Sequence, residues 1–507
     1  MVSAVLGLIR ERLLIANFGI GPTLDAYNIA FTVPDFMYTL LVSGALSVSF
    51  IPVLNQRLGK GNKESAWQMS SSLINFMAII TFCASILIFI FADVLTAVIA
   101  RGSDPYVKET AADLMRIIAI NPFLFSISAV VASMQQAVGR FFFNAVAPVI
   151  YNIGIIIGIT VFAPAIGTPA DPSIVGVALG VSLGAVAQFL FQFLGMSGIG
   201  YVYEAAIHWR NRGFRKVLRL LPARSLDQSI DYLNSIVEKF IASFLFAGAI
   251  TSYQAAFTLR TVPITLIGAA IATASFPSIT ERAASKRTDL FRRDVTENIM
   301  IILWLSIPAA TIAFFMRGYL VRLLVGEGNI IIAQILAWFS ISIVFRALFH
   351  SITRAFYAQQ DTKTPLYVSL AAIGLNIALA ITLTKIFGIV GLAMAQSAVA
   401  VFEVTILMVL LTRKLGVFLD KASVINMARM TGAALAAAVV NYAFIRYIFP
   451  LKALDVGFIS LAPKFGLIVS VTLIVYFAVS YIFKIPFAKP LIRSVARFIF
   501  KPVKTVS

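Results

Sequence analysis

Apolar residues run along this chain in blocks of about 20, each long enough as a helix to cross roughly 30 Å of hydrocarbon. Fourteen such blocks can be read, at 1–17, 26–54, 70–100, 111–138, 144–162, 174–196, 230–246, 253–279, 299–316, 330–357, 366–386, 390–411, 424–447 and 458–483. Short polar stretches with turn chemistry separate them, among them Gly19-Ile20-Gly21-Pro22, Gly102-Ser103-Asp104-Pro105 and Gly167-Thr168-Pro169. None of the connections is long enough to be a soluble domain. The longest, at 197–229, reads as a basic amphipathic surface helix. The first block stands apart: it opens at Met1 with no basic stretch before it and carries Arg10, Glu11 and Arg12. Either the chain starts late, or this helix is held by the bundle rather than by lipid.

Lysine and arginine in the connections set the orientation. Alternate connections, with the C-terminal tail, hold twenty-five basic residues, whereas the other set holds seven. An alternation of that kind would fail if one span were missed or invented in mid-chain. It supports the count of fourteen and predicts that both termini are cytoplasmic. It also accounts for a net charge of +19: basic loops facing anionic lipid, not a nucleic-acid surface.

An internal echo divides the chain. Tyr27-Asn28-Ile29-Ala30-Phe31-Thr32 recurs as Tyr253-Gln254-Ala255-Ala256-Phe257-Thr258. Upstream, Glu11-Arg12 is matched by Glu238-Lys239; downstream, Ser49-Phe50-Ile51-Pro52 is matched by Ser275-Phe276-Pro277. The repeat unit is six spans. Six is even, so both copies enter the membrane in the same direction, as in parallel-repeat transporters. The predicted fold is therefore an all-α polytopic bundle of about fourteen transmembrane helices. It has a six-helix lobe at 1–200, a basic linker at 201–229, a second six-helix lobe at 230–415, two extra helices at 416–483 and a basic cytoplasmic tail at 484–507.

Composition agrees: 60% of the 507 residues are hydrophobic and 12% charged, against about half and a quarter in soluble domains. The single cysteine, Cys83, lies inside an apolar block, and His208 and His350 have no metal-type spacing. No metal site and no catalytic apparatus is expected, nor any Gly-rich nucleotide loop.

The informative residues are charges inside the spans, which are costly in hydrocarbon and so face a cavity or a partner. Arg116 is expected to pair with Asp113 three residues away, and Arg354 and Lys464 to snorkel. Arg10, Glu11, Arg12, Asp25 and Asp35 fall in the first two spans, and Glu238, Lys239 and Arg260 in the matching part of the second lobe. If the lobes face one another, both sets line one central cationic cavity suited to an anionic substrate. Arg10, Arg12, Asp25, Lys239 and Arg260 are the candidate substrate-binding residues. Glu238 and Glu403 are candidate ion-coupling acids, and Asn376 offers a neutral oxygen to Na⁺. Transport would draw on an ion gradient or the membrane potential.

Four stretches carry a family resemblance. They are Val5-Leu6-Gly7-Leu8-Ile9-Arg10 with Asp25-Ala26-Tyr27; Gly139-Arg140-Phe141-Phe142 with Ala147-Pro148-Val149-Ile150-Tyr151-Asn152; Ile241-Ala242-Ser243-Phe244-Leu245; and Phe356-Tyr357-Ala358-Gln359-Gln360-Asp361-Thr362-Lys363-Thr364-Pro365. In these the chain resembles the MurJ/MviN family of the multidrug/oligosaccharidyl-lipid/polysaccharide exporter superfamily. The resemblance implies a bacterial inner-membrane flippase for lipid II, the undecaprenyl-diphosphate-linked peptidoglycan precursor, working by alternating access. It implies a diphosphate in the cationic cavity, a polyprenyl tail in a groove beside the last two helices, and cell-wall synthesis machinery as a partner. The family's first-helix arginine matches at Arg10, its second-helix aspartate at Asp25, its seventh-helix pair at Glu238-Lys239 and its Na⁺-site asparagine at Asn376. Other positions depart: Ala4 and Tyr38 stand where the family has arginine, and Ala380 where it has an acid. Thr258 takes the place of the eighth-helix arginine, with Arg260 two residues on, about 200° around a helix. Two other functions stay open: export of another polyprenyl-linked polysaccharide or a drug, and a non-transporting scaffold.

Overall fold

The computed structural model describes residues 2–41, 45–285, 287–416, 418–452, 455 and 457–488. Helices are the only regular secondary structure among them. The chain forms two compact units, Met1–Gln254 and Ala255–Ser507.

The first unit opens with α1 (Val2–Phe18) and a segment broken into α2 (Pro22–Ala30), α3 (Thr32–Leu41) and α4 (Ala45–Gly59). Longer helices follow: α5 (Lys63–Ile99), α6 (Pro105–Ile118) running on into α7 (Asn121–Ala137), and α8 (Phe142–Ile157). A π-helical turn at Gly158–Phe162 joins α8 to α9 (Ala163–Ile166), and α10 (Ile174–Leu194) returns. α8 and α10 touch backbone to backbone. A β-carbon added to Gly180 would stand 2.3 Å from the Gly158 Cα, and one on Gly154 2.3 Å from the Gly184 Cα. Small residues spaced four apart on both helices permit this approach, the usual way membrane helices gain dispersion contact without a hydrophobic drive. Phe82, Ile86, Phe89 and Ile90 of α5 stay exposed, a stripe suited to lipid.

Residues 201–211 do not form the expected surface helix. They lie as an irregular strap across α5, where Ser71, Ser72 and Asn75 share one face. The Ser71 and Tyr201 hydroxyls are 2.9 Å apart, Asn75 Nδ2 donates to the Glu204 carbonyl at 2.8 Å, and the His208 N–H donates to Ser72 Oγ at 2.9 Å. Asn211 then caps α11 (Arg212–Ala242), its Oδ1 accepting from the Gly213 and Phe214 N–H groups. α11 continues unbroken through the predicted boundary at 229/230. The physical reason is its apolar face: Phe214, Val217 and Leu221 are buried with Trp67, Leu73 and Met134, so the basic stretch begins the seventh span instead of standing apart from it.

The compact units divide inside α12 (Ala249–Pro263). In the second unit α12 passes through a π-helical stretch, Ile264–Ala269, into α13 (Ala270–Ala284). Then come α14 (Thr288–Phe315), the short α15 (Arg317–Val325), α16 (Ile330–Ala358), α17 (Lys363–Phe387) and α18 (Ile389–Leu415). Gly388, at φ 59° and ψ −143°, is the single residue between α17 and α18. A non-glycine residue would be strained there, so the tight antiparallel hairpin depends on it. α19 (Lys421–Ala443) and α20 (Phe458–Ile482) pair and dock on α14. At that seam Trp304 Nε1 donates to Ser480 Oγ at 3.2 Å, and the Tyr476 hydroxyl donates to the Trp304 carbonyl at 2.8 Å.

Eleven helices among the described residues are long and apolar enough to cross a membrane. The three remaining blocks of the fourteen correspond to α1, the broken α2–α4 segment and α11. Length, breaks and polarity keep them from qualifying on composition alone.

Candidate functional site

The charges of the first unit gather where these three atypical segments meet. On α1, Arg10 Nη1 donates to Asn152 Oδ1 of α8 at 3.2 Å. Asn152 in turn donates to Ser3 Oγ at 3.3 Å and to the Pro148 carbonyl at 2.9 Å. These bonds fasten a helix that is short and charged for lipid onto one that is apolar. Glu11 is buried beside Arg10. Asp35 of α3 lies within electrostatic reach of both Arg10 and Lys239, and the Tyr27 and Tyr151 hydroxyls lie within electrostatic reach of Arg10. Arg12 is half-buried on the same helix. The cluster thus holds Glu11 and Asp35 against Arg10 and Lys239. That balance lowers the cost of keeping these groups out of water.

Lys239 of α11 serves the backbone. Its ammonium donates to the Asn28 carbonyl at 2.8 Å and to Thr32 Oγ1 at 2.9 Å. These atoms flank the turn at Phe31 where α2 gives way to α3, so a cation sits at a helix C-terminus, where the macrodipole favours it. Glu238, the neighbouring residue, is also buried.

Asp25, a candidate substrate contact, has both carboxylate oxygens engaged by the start of α12. Its Oδ2 accepts from the Gly248 N–H, and its Oδ1 from the N–H and hydroxyl of Thr251, all at 2.7 Å. The carboxylate is buried and caps the N-terminus of α12, where two helix N–H groups need acceptors. The bond crosses more than two hundred residues of sequence, and no local spacing signals it.

In the second unit Arg260 is 5% exposed. Its guanidinium lies 4.5 Å from the Phe257 ring centroid and 4.2 Å from that of Phe339, and Nη1 reaches Ser342 Oγ at 3.4 Å. The shift from Thr258 to Arg260 therefore turns the arginine toward α16, into an aromatic pocket. Asn376 is buried on α17, and Ala380 one turn on is buried too, with no carboxylate.

Several pairs went unforeseen. Arg346 of α16 donates to Glu403 Oε2 of α18 at 3.2 Å, and Ser369 of α17 donates to Glu403 Oε1 at 2.7 Å. Both charges are visible in the sequence, but 57 residues separate them and no periodicity links them. Arg116 bonds Asp113 at 2.8 Å as expected and also pairs with Asp93. Lys464 meets Asp455 at 2.6 Å. Among the described residues no three or more His, Cys, Asp or Glu side chains gather as a metal site.

Among the described residues helices alone form the regular structure, eleven of them long and apolar enough to cross a membrane, with charges paired between them: this is the architecture of a polytopic membrane protein. The family model for the lipid II flippase MurJ matches residues 15–459. The chain belongs to that family. It is 26% identical over 401 residues to a probable lipid II flippase MurJ of Thermotoga maritima, covering 78% of this chain and 80% of that one. Against a relative of the same description in Rhizobium tropici it is 23% identical over 495 residues, covering 95% and 91%. Among solved structures, a lipid II flippase MurJ in an inward closed conformation aligns with TM-score 0.77 at 22% identity over 97% of this chain and 98% of that one. An inward-facing multidrug transporter of the MATE family aligns with TM-score 0.71 at 15% identity over 82% and 95%. These two likenesses establish the fold.

Proposed function

We propose that this chain translocates lipid II, the undecaprenyl-diphosphate-linked peptidoglycan precursor, from the inner to the outer leaflet of the bacterial inner membrane by alternating access. The observation that carries the reading is the family match across 15–459, joined to a fold that aligns over nearly the whole chain. The termini are placed in the cytoplasm, on the basic bias of alternate connections. The anionic diphosphate is assigned to Arg10, Arg12 and Lys239, with Arg260 recruited when its aromatic pocket opens. A cation–π contact of about 0.5–2 kcal/mol is weak enough for a phosphate to displace. Asp25 holds α12 and is not assigned to the substrate. Energy is drawn from the membrane potential or an ion gradient, and the machinery of cell-wall synthesis is the expected partner.

One observation favours a second reading. Arginine is absent at Ala4, Tyr38 and Thr258, which fits a carrier of a different polyprenyl-linked glycan, or a relative that no longer transports. The discriminating experiment is translocation of fluorescent lipid II in proteoliposomes. The chain is expected to move it across the bilayer, and Arg10→Ala to slow it by about tenfold or more, the equivalent of one charge-assisted contact. No translocation, with Arg10→Ala and Arg260→Ala both silent in cells that depend on this chain, would sink the lipid II reading.

A further inference from the structure

The hairpin of α17 and α18, with α16 against it, carries a charged node at Glu403, a candidate ion-coupling acid by sequence that the proposed function leaves without a role. Glu403 is 3% exposed. A carboxylate so placed costs several kcal/mol unless a positive charge and hydrogen bonds compensate it. Both of its oxygens are engaged, Oε2 by Arg346 at 3.2 Å and Oε1 by the Ser369 hydroxyl at 2.7 Å. Because α17 and α18 are antiparallel, moving seven residues from Ser369 leads to Asn376, and seven back from Glu403 leads to Gln396. These two amides fall at one level of the hairpin, buried at 1% and 5% exposure. That level is roughly 10 Å along the axis from Glu403, beyond the reach of a single coordinated ion. At Asn376 the next turn of α17 brings Ala380, a side chain that offers an alkali cation no ligand. At Glu403 it would find a carboxylate whose charge is already balanced.

We propose that Arg346 is a tethered counter-cation: it occupies the place among α16, α17 and α18 that a mobile alkali cation would need, so this unit carries its own positive charge to Glu403 and binds no sodium there. The consequence for the transport cycle rests on the flippase reading, but the charge arrangement does not. A residue that cannot dissociate keeps the three helices joined in every state, whereas a bound ion would join them only when present.

The test is thermal unfolding of the full chain in detergent, in equimolar sodium chloride or choline chloride. Wild type should show no sodium-specific shift. Arg346→Gln should unfold earlier in choline and gain roughly 3 °C or more in sodium, because the bared Glu403 then recruits the ion. The double variant Arg346→Gln with Glu403→Gln should be insensitive to sodium and outlast the single one. A sodium-specific shift in wild type, or none in Arg346→Gln, overturns the proposal. If Arg346→Gln does not accumulate, the double variant decides: recovery supports the tether, and equal failure refutes it. Lipid II translocation, measured in the same two media, should be equally fast for wild type. If no translocation is seen while the unfolding pattern holds, the flippase reading fails and the tether stands.

Discussion

At the scale of single residues, Asp25 separates chemistry from scaffolding. A carboxylate within a span suggests a ligand contact, yet three 2.7 Å hydrogen bonds show it holding the first turn of α12. Asp25→Ala is expected to destabilise by about 1–3 kcal/mol, the range of a lost cap plus a bared helix end. Asp25→Asn should lose less, because one acceptor oxygen remains. A detergent unfolding scan measures both, and an Asp25→Ala protein as stable as wild type would remove the capping account. Asp361 makes a second case outside the spans. Burial pulls its carboxyl upward, but bonds from Lys414 Nζ at 2.8 Å and from the Thr364 N–H and hydroxyl outweigh that, and it titrates below the usual aspartate range. A depressed folded value means the contribution is present above the unfolded value, about 3.9, and is lost as pH falls through the folded one. Asp361→Asn should therefore lower the unfolding temperature at neutral pH, by a margin that narrows as pH falls below the unfolded value. A loss that does not change with pH would show that the aspartate acts through shape and not charge. The family-like stretch around Asp361 was visible as a string of letters. Its role as the cap of α17 and the anchor of Lys414 came from the fold.

At the scale of elements, helix content followed from hydropathy, and the closest packing from glycine. Gly154, Gly158, Gly176, Gly180 and Gly184 could be read as spacing in two spans, but that they face one another is a tertiary fact. Gly180→Val puts its β-carbon 2.3 Å from the Gly158 Cα. The helices must part, with an expected loss of about 2–3 kcal/mol or failure to accumulate. Gly374, in the interior of α17, has nothing within 4 Å of an added β-carbon, so Gly374→Ala should be neutral or stabilising by up to about 1 kcal/mol. Fluorescence-detected size exclusion after heating compares the two. Equal tolerance at both sites would mean the α8–α10 contact is looser than described. The strap at 201–211 lies at the other extreme: beside the hydroxyls of Tyr201 and Tyr203, its bonds to Ser71, Ser72 and Asn75 use backbone groups of Glu204, Ala206 and His208, which no side-chain pattern announces.

At the scale of the whole molecule, topology is the testable quantity. The proposed orientation has the C-terminus inside, so green fluorescent protein fused there should fluoresce, while alkaline phosphatase at the same point should stay inactive. The reverse would invert every loop assignment. Cys83, the one cysteine, is exposed on α5 within an apolar span. It should react with a lipid-soluble maleimide and resist charged thiol reagents added from either side.

The class of protein, the helical content and the list of intramembrane charges were already determined by the sequence, because hydropathy summed over 20 residues and the cost of a charge in hydrocarbon are local properties. The family was legible in the same way, through runs such as Gln359-Gln360-Asp361-Thr362-Lys363. Which charges meet was decided only by the tertiary structure. Arg346 finds Glu403, Lys239 finds the Asn28 carbonyl, and Asp25 finds the first turn of α12 because of how the helices are rotated and stacked. Rotation and stacking depend on packing over the full length of each helix, and a few residues around one charge do not encode them.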